Sequence, residues 1–333
     1  MKANHHATLL CVWCLLLASA MLAMAQGPRG KWRPTGERGL LQHDGKDRFY
    51  RLHVPAGVSS SKDLRPLLVV LHGGGGNAEV ASKMGFSVLA DREQFIVVYP
   101  EATGGHWNDG RAGKVIVEKA GGNDDVGFIV ALVESIQRKH PVDRQRIFVT
   151  GFSNGGMMSH RLGIARPDLF AAIAPCIGGI PKPLASEKAF RPAQPISVLI
   201  LQGTEDPLVP YDGGKVTVNL VPALRGKVER DHGSIASTGD ALRLWKKANG
   251  ILGEPTVTLL PDRDPHDGCR LERSEWREGR GGSSVTLIRM IGAGHTLPGA
   301  RQYLPEKIIG KTCHDAQAPE LIWEFFQHHP KKP

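Results

Sequence analysis

Short apolar runs alternate with amphipathic stretches along most of this chain. Pro66 to Leu71, Phe95 to Tyr99, Arg146 to Thr150, Phe170 to Ala174 and Ser197 to Leu201 are largely apolar runs of five or six residues. Runs of that length without polar alternation suit strands buried on both faces of a parallel sheet. Between them, apolar positions recur at helical spacing. Val126, Ile129, Val130, Val133 and Ile136 mark the clearest helix. Asp124 and Asp125 stand at its start, where carboxylates suit the free amides and the helix dipole. The pattern predicts further helices over roughly 78–93, 154–165, 239–248 and 316–328, and later strands near 256–260 and 285–290. Asp44-Gly45-Lys46 predicts the turn of an opening hairpin. Residues 103–123 are Gly-rich and read as a loop, and 211–237, without a clear period, as a flap. Strands and helices that alternate throughout argue for the α/β class, with one doubly wound, mostly parallel sheet in a single domain.

The first residues follow a different rule. Lys2, the apolar run Leu9 to Leu22 and the small-x-small pair Ala23 and Ala25 have the layout of a secretory signal peptide cut after Ala25. The run is too short to span a bilayer comfortably. The expected layout is a signal peptide over 1–25, an arm and the start of the hairpin over 26–48, and the main domain over 49–333. Export would place the protein outside the cell or in a periplasm, and no later segment reads as a membrane span. The full chain carries a formal charge of +9, and loss of Lys2 lowers it by one. No basic run is interleaved with aromatics, so nucleic acid is not an expected partner.

A chain of 333 residues with 41% hydrophobic content can fold without disulfides or metals. Three cysteines follow the export segment. Cys176, just after an apolar strand, reads as a buried free thiol. Cys269 and Cys313 then read as a disulfide in an oxidising compartment. Their spacing does not resemble a zinc site, and neither a metal nor a cofactor is expected. Asp262 to Gly268 is acidic but lacks the ligand spacing and closing glutamate of a calcium loop, so it reads as a turn.

The chemistry lies at strand ends. Gly151-Phe152-Ser153-Asn154-Gly155 fits G-x-S-x-G, follows one predicted strand directly and opens a predicted helix. A serine on such a turn is exposed, and the helix amides point to where an oxyanion would form. His72-Gly73-Gly74-Gly75-Gly76-Asn77 follows another strand, and its glycines let backbone N–H groups face a site. The expected oxyanion donors are the amides of Asn154 and Gly74. The run lacks the features of a phosphate cradle. A serine needs a base, and the base an orienting carboxylate. Asp206 lies just past the strand Val198 to Leu201 and is followed by Pro207, with Glu205 and Asp212 as rivals. His295 lies between glycines after the strand Val285 to Met290. His72 reads as a structural hydrogen-bonder and His160 as packing.

These residues resemble the secreted poly(3-hydroxybutyrate) depolymerase and feruloyl esterase group of α/β-hydrolases. The likeness runs from about Phe49 to Phe326. It rests on Leu71-His72-Gly73-Gly74, Asn123-Asp124-Asp125-Val126-Gly127-Phe128, Gly151-Phe152-Ser153-Asn154-Gly155-Gly156-Met157, Pro167-Asp168-Leu169-Phe170-Ala171-Ala172 and Gly294-His295-Thr296-Leu297-Pro298-Gly299. The resemblance implies the α/β-hydrolase fold, a Ser153–Asp206–His295 triad, an acyl-serine intermediate and no metal. The implied substrate is a polyester oligomer or a plant cell-wall ester. Leu297 stands where the group often has Trp, and Trp107 is a candidate for an aromatic wall. Trp107 and Leu297 are therefore the expected substrate contacts. A non-catalytic binding protein on this fold, or a serine peptidase or acyltransferase, are the alternatives.

Overall fold

The computed structural model describes residues 35–58, 63–218 and 231–332. The predicted signal peptide, most of the arm and the centre of the flap, residues 219–230, lie outside the described residues.

In chain order the strands are β1 (Glu37–His43), β2 (Lys46–His53), β3 (Arg65–Leu71), β4 (Ile96–Pro100), β5 (Val142–Phe152), β6 (Ala172–Cys176), β7 (Ser197–Gly203), β8 (Gly214–Lys215), β9 (Ser234–Ile235), β10 (Thr256–Leu259), β11 (Arg270–Trp276) and β12 (Val285–Ile291). Ten of them form one sheet in the order β1-β2-β4-β3-β5-β6-β7-β12-β11-β10. The central six, from β4 to β12, run parallel. An antiparallel pair flanks them at each end. The β1–β2 hairpin turns on Asp44 and Gly45, both at positive φ (53° and 69°), which matches the twist of its strands.

Helices α1 (Ala78–Ser82), α2 (Phe86–Glu93), α3 (Lys114–Ala120), α4 (Asp125–Lys139), α5 (Asn154–Ala165), α6 (Thr238–Asn249), α7 (Glu306–Ile309) and α8 (Ala318–Gln327) connect the strands. Two core layers result, one on each face of the sheet. Leu67, Val69 and Leu71 of β3 pack with Phe128 and Leu132 of α4, Leu162 of α5 and Trp245 of α6. Leu68 and Val70, pointing the other way, pack with Ala81 of α1, Leu89 of α2 and Phe326 of α8. Strands buried on both faces explain the continuous apolar runs, and the doubly wound single domain is present.

Several elements differ from the sequence reading, among them β8 and β9 inside the stretch read as a flap and the short helix α7. The helix expected over 78–93 is broken between α1 and α2, because Gly85 sits at φ 92°. Helix α3 lies inside the stretch read as loop. It buries only Ile116 and Ala120, too few to show a period. Strand β11 was missed because only Leu271 and Ser274 are buried along it. At the start of α4, Asp124 accepts a capping hydrogen bond from Gly127 N–H (2.9 Å), as expected. Asp125 does something else: it is buried and pairs with Arg48 at 2.6 Å. Burial pushes its carboxyl up, against the pull of the Asn108 amide and of Arg48.

Candidate active site at the carboxyl edge of the sheet

Strand β5 delivers Ser153 into a sharp turn. Ser153 has φ 56° and ψ −121°, a conformation that a side chain rarely adopts and that surrounding structure must hold. Its N–H donates to Cys176 O (2.9 Å), and its own carbonyl accepts from Met157 N–H (2.9 Å). The flanking glycines are required by close approach. A Cβ on Gly151 would lie 2.5 Å from Gly155 O, and one on Gly155 would lie 2.5 Å from Leu71 O. The strained serine therefore stands at the mouth of α5, whose first amides carry the positive end of the helix dipole.

Two strands away, β7 and β12 end side by side. Asp206, past the end of β7, is buried and bonds His295 Nδ1 through Oδ2 at 2.7 Å. Asp206 Oδ1 accepts the amides of Leu208 and Val209, both at 2.8 Å. The rivals Glu205 and Asp212 are exposed. His295 thus offers Nδ1 to the carboxylate and keeps Nε2 for another partner. Tyr303 Oη donates to His295 O (3.0 Å) and pins the loop. The backbones lie in direct contact below: a Cβ on Gly203 would meet the carbonyls of Ala293 and Gly294 at 2.5 Å. One apolar cluster ties these loops to α5. It joins Met157, one turn along α5, to Leu208 and Val209 beyond Asp206 and to Ile309, whose carbonyl accepts His295 N–H.

The glycine loop after β3 lies against the start of α5. A Cβ on Gly74 would lie 3.6 Å from Asn154 Cβ and 3.3 Å from the His106 ring. His72 anchors this loop from below. It is fully buried, its Nδ1–H donates to Gly73 O (2.7 Å), and its Nε2 accepts Ala102 N–H (3.0 Å). Burial pushes its pKa down to about 4 and keeps it neutral, so it is the structural hydrogen-bonder expected. His160 is likewise core packing: buried, lowered to about 3 by burial, and accepting Trp245 Nε1–H at 3.1 Å. His106, beside Gly74, is held down to about 4, mainly by burial and then by Lys119.

Trp107 requires a correction. It is 0% exposed, its indole N–H donates to His72 O (2.9 Å), and its ring packs 4.9 Å from the His72 ring. It supports the glycine loop after β3 from inside and offers no face to a substrate. Leu297 is partly buried and packs on the core layer beneath the sheet. The sequence reading missed the network around Asn154. Its Oδ1 accepts Trp107 N–H (2.8 Å), and its Nδ2 donates to Trp107 O (3.1 Å) and Asp109 Oδ2 (2.6 Å). Asp109 is buried and paired with Arg111 at 2.8 Å, and Arg111 reaches His232 O (3.0 Å) on the flap side. No spacing in the sequence announces this network, since its members are 45 residues apart.

The cysteines also differ from expectation. Cys269 and Cys313 are buried free thiols rather than a disulfide. Cys176 is the expected buried free thiol, pushed up to about 12 by burial.

The family described as Esterase PHB depolymerase matches residues 48–188, which include the glycine loop and the serine turn. NocK of Nocardia uniformis subsp. tsuyamanensis, which carries the name of an esterase, is 32% identical over 282 residues, covering 84% of this chain and 79% of its own. The chain belongs to this esterase family. Poly(3-hydroxyalkanoate) depolymerase C of Paucimonas lemoignei is 30% identical over 183 residues, 54% of this chain and 42% of that protein. An acetyl xylan esterase from Aspergillus awamori shares the fold, with a TM-score of 0.54 at 16% identity over 78% of this chain and 94% of its own. This family member is a carboxylic ester hydrolase on the α/β-hydrolase fold. Among its described residues no helix is long and apolar enough to cross a membrane.

Proposed function

We propose that this esterase is exported and works through Ser153, with His295 as its base, Asp206 as the partner of that base, and the amides of Gly74 and Asn154 as oxyanion donors. One observation carries the reading. The buried Asp206–His295 pair, 2.7 Å apart, ends two strands of the sheet that also presents the strained Ser153. His295 Nε2 takes the Ser153 proton as the hydroxyl oxygen attacks the ester carbonyl. The two amides hold the oxyanion, and Asp206 stabilises the imidazolium. Collapse expels the alcohol, which takes the proton from His295. Water then attacks the acyl-serine by the same route and releases the acid.

Val218, Tyr303, Leu304 and Ile308 are partly buried against the cluster that links Met157 to Ile309; three of them are aliphatic, and the Tyr303 hydroxyl is spent on His295 O. That lining, with Trp107 withdrawn into the core, favours aliphatic hydroxyalkanoate oligomers over hydroxycinnamoyl or acetyl-xylan esters. A panel of hydroxybutyrate oligomers, methyl ferulate and acetylated xylan tests this. The largest kcat/KM should fall on the oligomers, and a preference for ferulate would sink the aliphatic reading. A fluorophosphonate probe should label the protein at Ser153, and Ser153→Ala should lose both labelling and about 10⁶-fold in kcat. Full turnover in that variant would refute the assignment. Export is tested by N-terminal sequencing of protein from the culture medium or periplasm, which should begin at Gln26.

A further inference from the structure

Two short sequences in opposite order, Asp267-Gly268-Cys269 and Cys313-His314-Asp315, meet beside the His295 loop. Among the described residues, donor atoms of Asp267, Cys313 and Asp315 all lie within 4.8 Å of one another. The Cys269 thiol lies outside that trio, donating to Asp267 O at 3.7 Å, and would join it as a fourth donor by turning about its Cα–Cβ bond. Asp315 is 3% exposed. Its Oδ1 accepts the amides of Arg263 (2.8 Å) and Asp264 (3.4 Å), but its Oδ2 is buried without any partner. A carboxyl oxygen left dry and unpaired is unfavourable.

We propose that Asp267, Cys269, Cys313 and Asp315 hold a structural divalent cation of the zinc class. Two thiolates select zinc over the oxygen-seeking calcium and magnesium, and two carboxylate oxygens complete a closed tetrahedral set. Asp267 is already oriented. Asp267 Oδ1 accepts Cys269 N–H and its Oδ2 accepts His314 N–H, both at 2.7 Å. Such outer hydrogen bonds fix metal ligands in place. Lys311 Nζ lies 2.6 Å from where a Cβ on Gly268 would sit, and its charge offsets the surplus of anionic donors. Binding needs no oxidant: the cation enters, and Cys269 and Cys313 each release one proton. The ion would clamp the strip that carries the His295 loop. Lys311 O accepts Gly294 N–H and Thr296 Oγ1–H, both at 2.9 Å, and Cys313 O accepts Gly299 N–H at 2.8 Å.

The test uses the exported protein, purified under argon without chelator or reductant from zinc-supplemented cultures. Elemental analysis should find one zinc per chain. After zinc removal, titration with cobalt(II) should raise a sulfur-to-cobalt charge-transfer band in the near ultraviolet. Cys313→Ser should weaken that band, and Cys269→Ser with Cys313→Ser should abolish it. Asp315→Asn should weaken cobalt binding by at least about 10–100-fold, the range that even outer-sphere partners command. A Cys269–Cys313 disulfide in metal-free protein as purified would overturn the proposal. So would a cobalt affinity unchanged by Asp315→Asn.

Discussion

Asp206 uses its two oxygens for different partners. Oδ1 is fastened by the amides of Leu208 and Val209, which leaves Oδ2 aimed at His295. In Asp206→Asn one side of the group becomes a donor, and the imidazole loses the acceptor that sets its tautomer. Steady-state kinetics on p-nitrophenyl butyrate should show kcat down about 10⁴-fold with KM little changed. Asn154 holds the other side of the site. Asn154→Ala keeps its backbone amide but leaves Trp107 N–H without an acceptor in a dry interior and Asp109 Oδ2 with Arg111 alone. It should lower stability by about 1–3 kcal/mol in urea titration, with kcat falling as the amide loosens. Ser153, Asp206 and His295 could be singled out in the sequence because each follows an apolar run with glycine or proline beside it. Trp107 and Asn154 could not be read that way. A loop tryptophan looks the same whether it faces solvent or a buried imidazole, and only the fold brings Asp109 to Asn154.

Elements with dense apolar content were legible, and those with sparse content were not. The parallel strands from β3 to β7 and helices α4, α5, α6 and α8 announced themselves by their core faces. Helix α3 and strand β11 bury two residues each, so neither prints a period. The start of α4 shows a subtler limit. Asp124 and Asp125 looked like one capping pair, yet the helix sends Asp124 to solvent and Asp125 into the core. There Asp125 joins three segments. It pairs with Arg48 of β2, accepts Asn108 N–H at 2.7 Å, and lies where Arg48 stacks over the Phe128 ring at 3.8 Å. Arg48→Met would leave a buried charge without its counterion. Thermal or urea unfolding should report a loss of about 3–5 kcal/mol, and adding Asp125→Asn to that variant should restore part of it.

Two core layers over one sheet also decide how the molecule meets acid. His72 and His160 are fully buried and held neutral, with pKa values lowered to about 4 and about 3 by burial. As pH falls below about 6.5, the unfolded chain binds protons that the folded chain refuses, so the folded state loses stability. Each histidine contributes a slope of about 1.4 kcal/mol per pH unit in that window. Unfolding midpoints measured between pH 6 and pH 5, above the titration of ordinary carboxylates, should therefore fall. His160→Gln, whose amide oxygen can still accept the Trp245 N–H, should flatten that fall by one proton. The floor beneath Ser153 and His295 has a different consequence. Gly203 rests on the carbonyls of Ala293 and Gly294, and a Cβ on Gly294 would come within 2.1 Å of Ile309 O. With main chain laid directly on main chain, no substitution there can tilt the machinery by small degrees. Divergence in diet is thereby channelled outward to the mouth, where descendants of such a chain can change what they consume while the foundations stay frozen.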